Sequence, residues 1–278
     1  MINFLHTFNP SPILFSFGPI NFYWYGFFIL LGALAALAIS LYLAKLYNIK
    51  TDIIIDLAFW LILSGIIGAR IYDVLLEWSY FSNHLIDIFK VWQGGLAIHG
   101  GIIGGGVALY FYVKKYNYNF WQLAAITVTV MPLGQAIGRI GNYFNQELFG
   151  YPTNLPWGIP IDIIHRPWQY FDYSYFHPTF LYESIGNLII FLVLISLQIW
   201  IVKKQKLSEL NYILCVSSYA ILYSLLRFFT EFIRADTTPV ILGLRFPQLV
   251  SLLIILLILG FFAYKTWQKM DRDNALEK

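Results

Sequence analysis

Long apolar stretches separated by short charged ones run the length of the chain. Six of them lack Asp, Glu, Lys and Arg for about a membrane width: residues 21–44, 91–113, 116–138, 185–202, 210–226 and 246–264. A helix needs roughly 20 apolar residues to cross the hydrocarbon core of a bilayer. A seventh stretch, residues 53–74, is as apolar but carries Asp56, Arg70 and Asp73. The pattern predicts an all-α polytopic membrane protein with seven transmembrane helices in one domain over residues 1–278. Lys114 and Lys115 interrupt the two central runs so briefly that these read as a hairpin. Pro10, Pro12 and Pro19 predict an irregular or interfacial segment before the first helix. The longest non-spanning stretch, about residues 141–177, is rich in proline, tryptophan and tyrosine. It reads as a small folded cap at the membrane surface, where aromatic side chains settle.

Composition agrees with that pattern. Only 12% of the 278 residues are charged, against about 25% in an average soluble protein. Hydrophobic residues reach 59% and mean hydropathy is +0.65. Disorder, collagen, coiled coil and a disulfide scaffold are excluded. The single cysteine, Cys215, rules out intrachain disulfides and multi-cysteine metal sites, and its apolar surroundings predict core filling. A net charge of +3 on so few charged residues gives no footprint for nucleic acid. Lysine placement sets the expected orientation. Lys45 and Lys50, Lys114 and Lys115, Lys203, Lys204 and Lys206, and Lys265, Lys269, Arg272 and Lys278 fall on one side. Lys90, Arg166, Arg234 and Arg245 fall on the other. The positive-inside rule then puts the N-terminus outside and the C-terminus in the cytoplasm. The first 20 residues have no positive n-region, so no cleavable signal is expected.

The arginines behave differently from the lysines. Arg70, Arg139 and Arg227 lie in or at the ends of spans, and Arg234 and Arg245 lie just outside. A charge in a span is costly enough to need a partner or a ligand. The guanidinium fork suits phosphate oxygens, so an outward-facing site for an anionic headgroup is one reading. For Arg70, with Asp73 three residues on, a structural ion pair is the other. The run Gly94–Gly106 opens the third helix. Gly100 with Gly104 and Gly101 with Gly105 form small-xxx-small pairs for close helix contact. His99 among them reads either as a hydrogen-bonded packing residue or as a proton acceptor.

The densest polar cluster runs from Gly138 to Gly150 and includes Arg139, Asn142, Asn145 and Glu147. Arg139, Asn142 and Asn145 recur every three residues, so a helical turn brings them to one side. The sixth helix is predicted to end in a polar stripe of Tyr223, Arg227, Glu231 and Arg234. That stripe reads as an intrahelical ion network or as the wall of a cavity. His177 and Glu183, around a Pro-Thr helix start, read as cap and interface residues or as part of a site.

Together these segments resemble the bacterial prolipoprotein diacylglyceryl transferase family over most of the chain. The likeness rests on Trp24-Tyr25-Gly26, Gly68-Ala69-Arg70, the Trp92 to Gly101 stretch with His99, and Gly138-Arg139-x-Gly-Asn-Tyr-x-Asn-x-Glu147-x-x-Gly150. His177-Pro-Thr-x-x-Tyr-Glu183 and Arg227-x-x-x-Glu231-x-x-Arg234 complete it. The resemblance implies a seven-helix enzyme of the bacterial inner membrane with its site toward the outer leaflet. It implies transfer of the diacylglyceryl group of phosphatidylglycerol to the lipobox cysteine of a preprolipoprotein signal peptide, with glycerol 1-phosphate released. No metal or soluble cofactor is implied. Arg139 and Arg227 match the family's essential arginines and His99 its histidine, as candidate base. Tyr25, Asn142, Asn145, Glu147, Gly150, Tyr223, Glu231 and Arg234 are the expected substrate-binding set. Phe180 stands where the family usually has Gln or Ala, and Ala125 where it often has Asp. A transporter, or a non-catalytic lipid-binding relative, is the alternative. The absence of an inverted repeat, the polar groups at the outer end and the presence of His99, Arg139 and Arg227 weigh against both.

Overall fold

Long apolar runs without internal charge fold as helices, because only a helix satisfies every backbone donor and acceptor in lipid. A computed structural model describes residues 2–276 and is mostly helical. The major helices are α2 (Trp24–Leu46), α3 (Thr51–Leu76), α5 (Ile98–Tyr116), α6 (Phe120–Phe144), α7 (Thr179–Lys203), α8 (Glu209–Thr230) and α9 (Phe246–Leu276). Two short ones, α1 (Ile2–Thr7) and α4 (Trp78–Phe81), complete the set among the described residues. Six helices are long and apolar enough to cross a membrane: α2, α3, α6, α7, α8 and residues Phe246–Gln268 of α9. The glycine-rich α5, 19 residues long and ending at Lys114, Lys115 and Tyr116, is the major helix outside that group. Lys278 of the basic tail lies outside the described residues.

The chain is mostly helical, as expected, with short strands beside the helices. Among the described residues three two-stranded antiparallel ribbons accompany the helices: β1 (Ile13–Phe17) with β2 (Ile20–Tyr23), β3 (Ile159–Pro160) with β4 (Tyr175–Phe176), and β5 (Val240–Ile241) with β6 (Leu244–Arg245). The first ribbon takes up the start of the apolar run at residue 21. It turns at Gly18, whose φ of 58° suits a residue without a side chain. The segment expected to be irregular is thus α1 followed by a hairpin. Helix ends also differ from the edges of the uncharged runs. The run at 91–113 begins with a 3₁₀ turn and with Gly94 and Gly95 at φ 94° and 72°, so α5 starts only at Ile98. The run at 116–138 starts late and continues through Arg139 to Phe144 as α6.

The chain divides into two compact units. The first comprises Met1–Ala36, Val128–Trp200 and Leu214–Lys278, and the second Leu37–Thr127 and Ile201–Ile213. Within the first unit, the stretch after α6 carries its own small core of Tyr143, Phe149, Ile159, Ile161, Phe176, Phe180 and Ala235. His6 stacks on Tyr175 at 3.6 Å and donates from Nδ1 to the Gly158 carbonyl, tying α1 to this core. Arg166 donates to the Ile161 and Phe171 carbonyls and braces it further. Residues 141–144, expected in the cap, belong to α6 instead. Cys215 is fully buried, as its surroundings predicted.

Within the second unit, α3 packs against α5 through glycines. A Cβ added at Gly100 would meet the Gly68 carbonyl oxygen and Tyr72 Cβ, and one at Gly104 would meet the Ser64 carbonyl oxygen. Gly101 is looser, with the Gly65 carbonyl 3.5 Å from such a Cβ, and Gly105 has nothing within 4 Å. The small-residue pairs are therefore unequal. Gly100→Ala is expected to destabilise the pair by on the order of 1–3 kcal/mol, since backbone must move. Gly105→Ala is expected to be neutral, or stabilising by up to about 1 kcal/mol. Unfolding midpoints of the two variants in detergent check the contrast. Asn117, with φ 56°, ends α5 in the left-handed conformation of a helix C-cap.

Candidate active site

Arg70 is a structural residue rather than an anion ligand. It is buried in the second unit, 3.5 Å from Asp73, as the structural reading expected. Its Nε donates to the Ile88 carbonyl and its Nη1 to those of Gly94 and Gly95, each at 2.9 Å. Its Nη2 donates to the Asp87 carbonyl, and its guanidinium lies 4.9 Å over the Phe81 ring. With its fork spent on four carbonyls, Arg70 folds the loop that leads into α5. His99 stands in the first turn of that helix, exposed, with its ring 5.9 Å from that of Tyr72.

The remaining arginines gather in the first unit. α6 carries Arg139 near its last turn, α7 carries Glu183 in its second turn, and α8 carries Arg227 in its last. Arg139 Nε lies 2.7 Å from Glu183 Oε2. Glu183 Oε1 takes Arg234 Nη1 at 2.7 Å and lies 3.6 Å from Arg227 Nη1. One carboxylate thus serves three guanidiniums. Glu231 forms a second hub, with Oε2 at 2.9 Å from Arg227 Nη2 and Oε1 at 3.1 Å from Arg245 Nε. Asp236 accepts from Arg234 Nε at 2.7 Å. Burial would raise the Asp236 carboxyl, but the hydrogen bond and charge of Arg234, with the charge of Arg245, hold it below the usual carboxylate range.

Exposure separates the four arginines. Arg234 and Arg245 have side chains 5% and 14% exposed, whereas Arg139 and Arg227 keep 23% and 21%. Arg245 also donates to the backbone carbonyls of Glu231, Arg234 and Asp236 and to Thr238 Oγ1, so it folds the turn after α8. Four guanidiniums meet three carboxylates here, and the unbalanced positive charge falls at the exposed pair. Such an edge can hold an anion bidentately while buried groups fix its geometry.

The expected polar stripe on α8 is partly corrected. The helix ends at Thr230, so Glu231 and Arg234 lie in the turn beyond it. Arg227 and Glu231 do pair as i and i+4, but Arg234 turns to Glu183 and Asp236 rather than back to Glu231. Tyr223 stacks on Tyr219 at 5.8 Å one turn earlier. The Gly138–Gly150 cluster behaves as its spacing suggested. Arg139 Nη1 lies 3.4 Å from Asn142 Oδ1, and Glu147 Oε1 accepts from Asn142 at 2.7 Å and from Asn145 at 3.3 Å. Gln146 and Leu148, at φ 51° and 54°, turn the chain so that Glu147 returns to Asn142. A Cβ on Gly141 would come within 2.9 Å of the Tyr25 ring, which places Tyr25 at the same end of α6. Gly150 donates to the His177 carbonyl and bridges Arg234, and a Cβ there would meet the Ile233 carbonyl oxygen at 2.6 Å. Its role is close backbone packing under the arginines. Among the described residues no group of three or more His, Cys, Asp or Glu is arranged to hold a metal ion.

Residues 12–264 match the family model described as prolipoprotein diacylglyceryl transferase. The chain belongs to this family. It is 42% identical over 250 residues to a Synechocystis protein named phosphatidylglycerol–prolipoprotein diacylglyceryl transferase, covering 90% of this chain and 87% of that one. A Nostoc protein of the same name is 44% identical over 262 residues, 94% of this chain and 91% of that one. A third, from Finegoldia magna, is 42% identical over 244 residues, 88% and 91%. As a member of the prolipoprotein diacylglyceryl transferases, the chain is a transferase. Its two departures from the family pattern are packing residues. Phe180 is buried and stacks on Tyr143 at 5.0 Å, and Ala125 is fully buried. Glu183 and Arg245 join the site from outside the expected binding set. The His-Pro-Thr-x-x-Tyr-Glu run was the signal for Glu183, whereas Arg245 gave only its position just outside a span.

Proposed function

We propose that this chain transfers the diacylglyceryl group of phosphatidylglycerol to the lipobox cysteine thiol of a preprolipoprotein signal peptide, forming a thioether. The observation that carries this reading is the partly exposed pair Arg139 and Arg227, joined by the buried Glu183 carboxylate and backed by the buried Arg234 and the half-buried Arg245. The thiol, with a pKa near 8.5, gives up its proton and attacks the glycerol carbon that bears the phosphate. The carbon–sulfur bond forms, the carbon–oxygen bond breaks, and the electron pair leaves on the phosphate oxygen of glycerol 1-phosphate. Arg139 and Arg227 hold the phosphate and stabilise the growing charge, and the family resemblance offers His99 or Glu147 to take the thiol proton. Tyr25, Asn142, Asn145, Glu147 and Tyr223 orient the headgroup. Glu183, Glu231, Arg234 and the close packing at Gly150 act through the arginines.

Six long apolar helices and the lysine distribution support a multi-pass protein of the bacterial inner membrane. In this reading α5 is the seventh crossing, all seven form one transmembrane domain, and residues 145–177 cap its outer side. The N-terminus lies outside, the C-terminus lies in the cytoplasm, and the site opens toward the outer leaflet. Purified protein given a lipobox peptide is expected to add one diacylglyceryl mass with phosphatidylglycerol vesicles and none with phosphatidylethanolamine vesicles. Equal addition from both lipids would contradict the assignment of the donor.

A further inference from the structure

Beside the arginine cluster lies a cavity of about 680 Å³, within the size range of ligand sites. It is lined among others by Asn9, Asn145, Gln146, Glu147, Asp162 and His165. All belong to the first unit. The cavity is continuous with the arginines through hydrogen bonds: Arg139 contacts Asn142, and Asn142 and Asn145 both donate to Glu147. It also lies at the ends of spans. Pro12 on its rim accepts a hydrogen bond from the Trp24 backbone at the start of α2, and Phe144 in its wall stacks on Trp24 at 4.7 Å.

The charge of this cavity is opposite to that of its neighbour. Its ionisable lining is Glu147, Asp162 and His165, and among the described residues no lysine or arginine lines it. Asp162 accepts from Asn9 and Gln146, each at 2.8 Å, and these bonds hold its carboxyl below the usual range. Gln146 in turn accepts from the Asp162 backbone N–H, so the carboxylate is built into the wall. A phosphate is repelled here and attracted next door. Its amides and carboxylates suit an extended polypeptide, and Pro10, Pro12, Phe144 and Ile164 supply apolar surface beside them.

We infer that this cavity receives the polar segment that follows the acceptor cysteine, and that it selects neutral or basic residues there. The inference rests on the proposed transfer to a cysteine-bearing polypeptide. The two substrates are then sorted by charge, with the donor phosphate at the arginines, the acceptor chain toward Asp162, and Asn145 and Glu147 on the border between headgroup and peptide.

The test uses the full-length protein in detergent, phosphatidylglycerol, and three lipobox peptides. They carry two lysines, two asparagines or two glutamates after the cysteine and its next residue. The expected result is a kcat/KM several-fold higher for the lysine peptide than for the glutamate peptide, with the difference shrinking at 1 M salt. His165→Glu is expected to widen that ratio about threefold, and His165→Lys and Asp162→Asn to narrow it by a similar factor, the scale of solvent-screened charges. His165 is exposed, so its variants leave the fold intact; Asp162→Asn removes the charge together with one of the two hydrogen bonds accepted from Asn9 and Gln146, and its unfolding midpoint is measured in parallel. A ratio that none of the three variants moves overturns the subsite. Failure of the wild type to modify any of the three peptides would instead strike the transferase reading itself.

Discussion

Arg139→Lys is expected to lower turnover by two to three orders of magnitude while leaving the protein folded. Arginine at this position does two things at once. Its Nε is 2.7 Å from Glu183, and its Nη1 lies 3.4 Å from Asn142. The rest of the fork remains at the partly exposed edge of the cluster. A lysine ammonium is a point charge on a flexible stem and cannot hold Glu183 and a phosphate in fixed directions together. Losing one preorganised donor to a developing oxyanion typically costs about 10²–10³ in rate. Arg139→Ala is expected to lose more, since Glu183 then also loses a partner. The check is release of glycerol phosphate by each variant, with its unfolding midpoint measured in parallel. Near-normal turnover by Arg139→Ala would remove the phosphate clamp from the account.

The second large effect is on stability. Glu183→Gln leaves Arg139, Arg227 and Arg234 around a neutral amide at a site only 4% exposed. Breaking a buried ion pair from one side costs about 3–5 kcal/mol, because the partner charge stays behind. Arg234, itself 4% exposed, is the one stranded most deeply, although Asp236 still pairs with it. Glu183→Gln is therefore expected to unfold at markedly lower temperature and to lose turnover as the exposed arginines shift. Combining it with Arg234→Met removes the stranded charge and is expected to recover part of the stability without recovering activity. A double variant no more stable than the single one would show that charge balance is not what Glu183 provides.

The sequence made the helices legible through one property, the absence of charge over a membrane width. It could not mark their ends, because ends are set by backbone geometry. Gly94 and Gly95 delay the start of α5, and the turn at Gly18 converts an apolar run into a hairpin. Conversely α6 runs on through Arg139, since a charge at a span end can be met by Glu183 from another helix. The site was legible where its contacts are local. Arg227 with Glu231, and Arg139 with Asn142, follow helical spacing. By sequence Glu183 is an ambiguous helix-start residue, because its three partners come from α6, α8 and the turn beyond, and no spacing rule reaches that far. Arg70 illustrates the converse. Its partner Asp73 was visible at i+3, but the four loop carbonyls that consume its fork were not.

In the proposed reaction a thiol displaces a phosphate held by Arg139 and Arg227. This displacement is tested most directly with phosphatidylglycerol labelled in its headgroup and paired lipobox peptides bearing Cys or Ser at the acceptor position. The expected result is release of labelled glycerol phosphate with the Cys peptide alone, in step with a mass gain on that peptide. Release that is the same with the Ser peptide, or no release by folded protein, would contradict it.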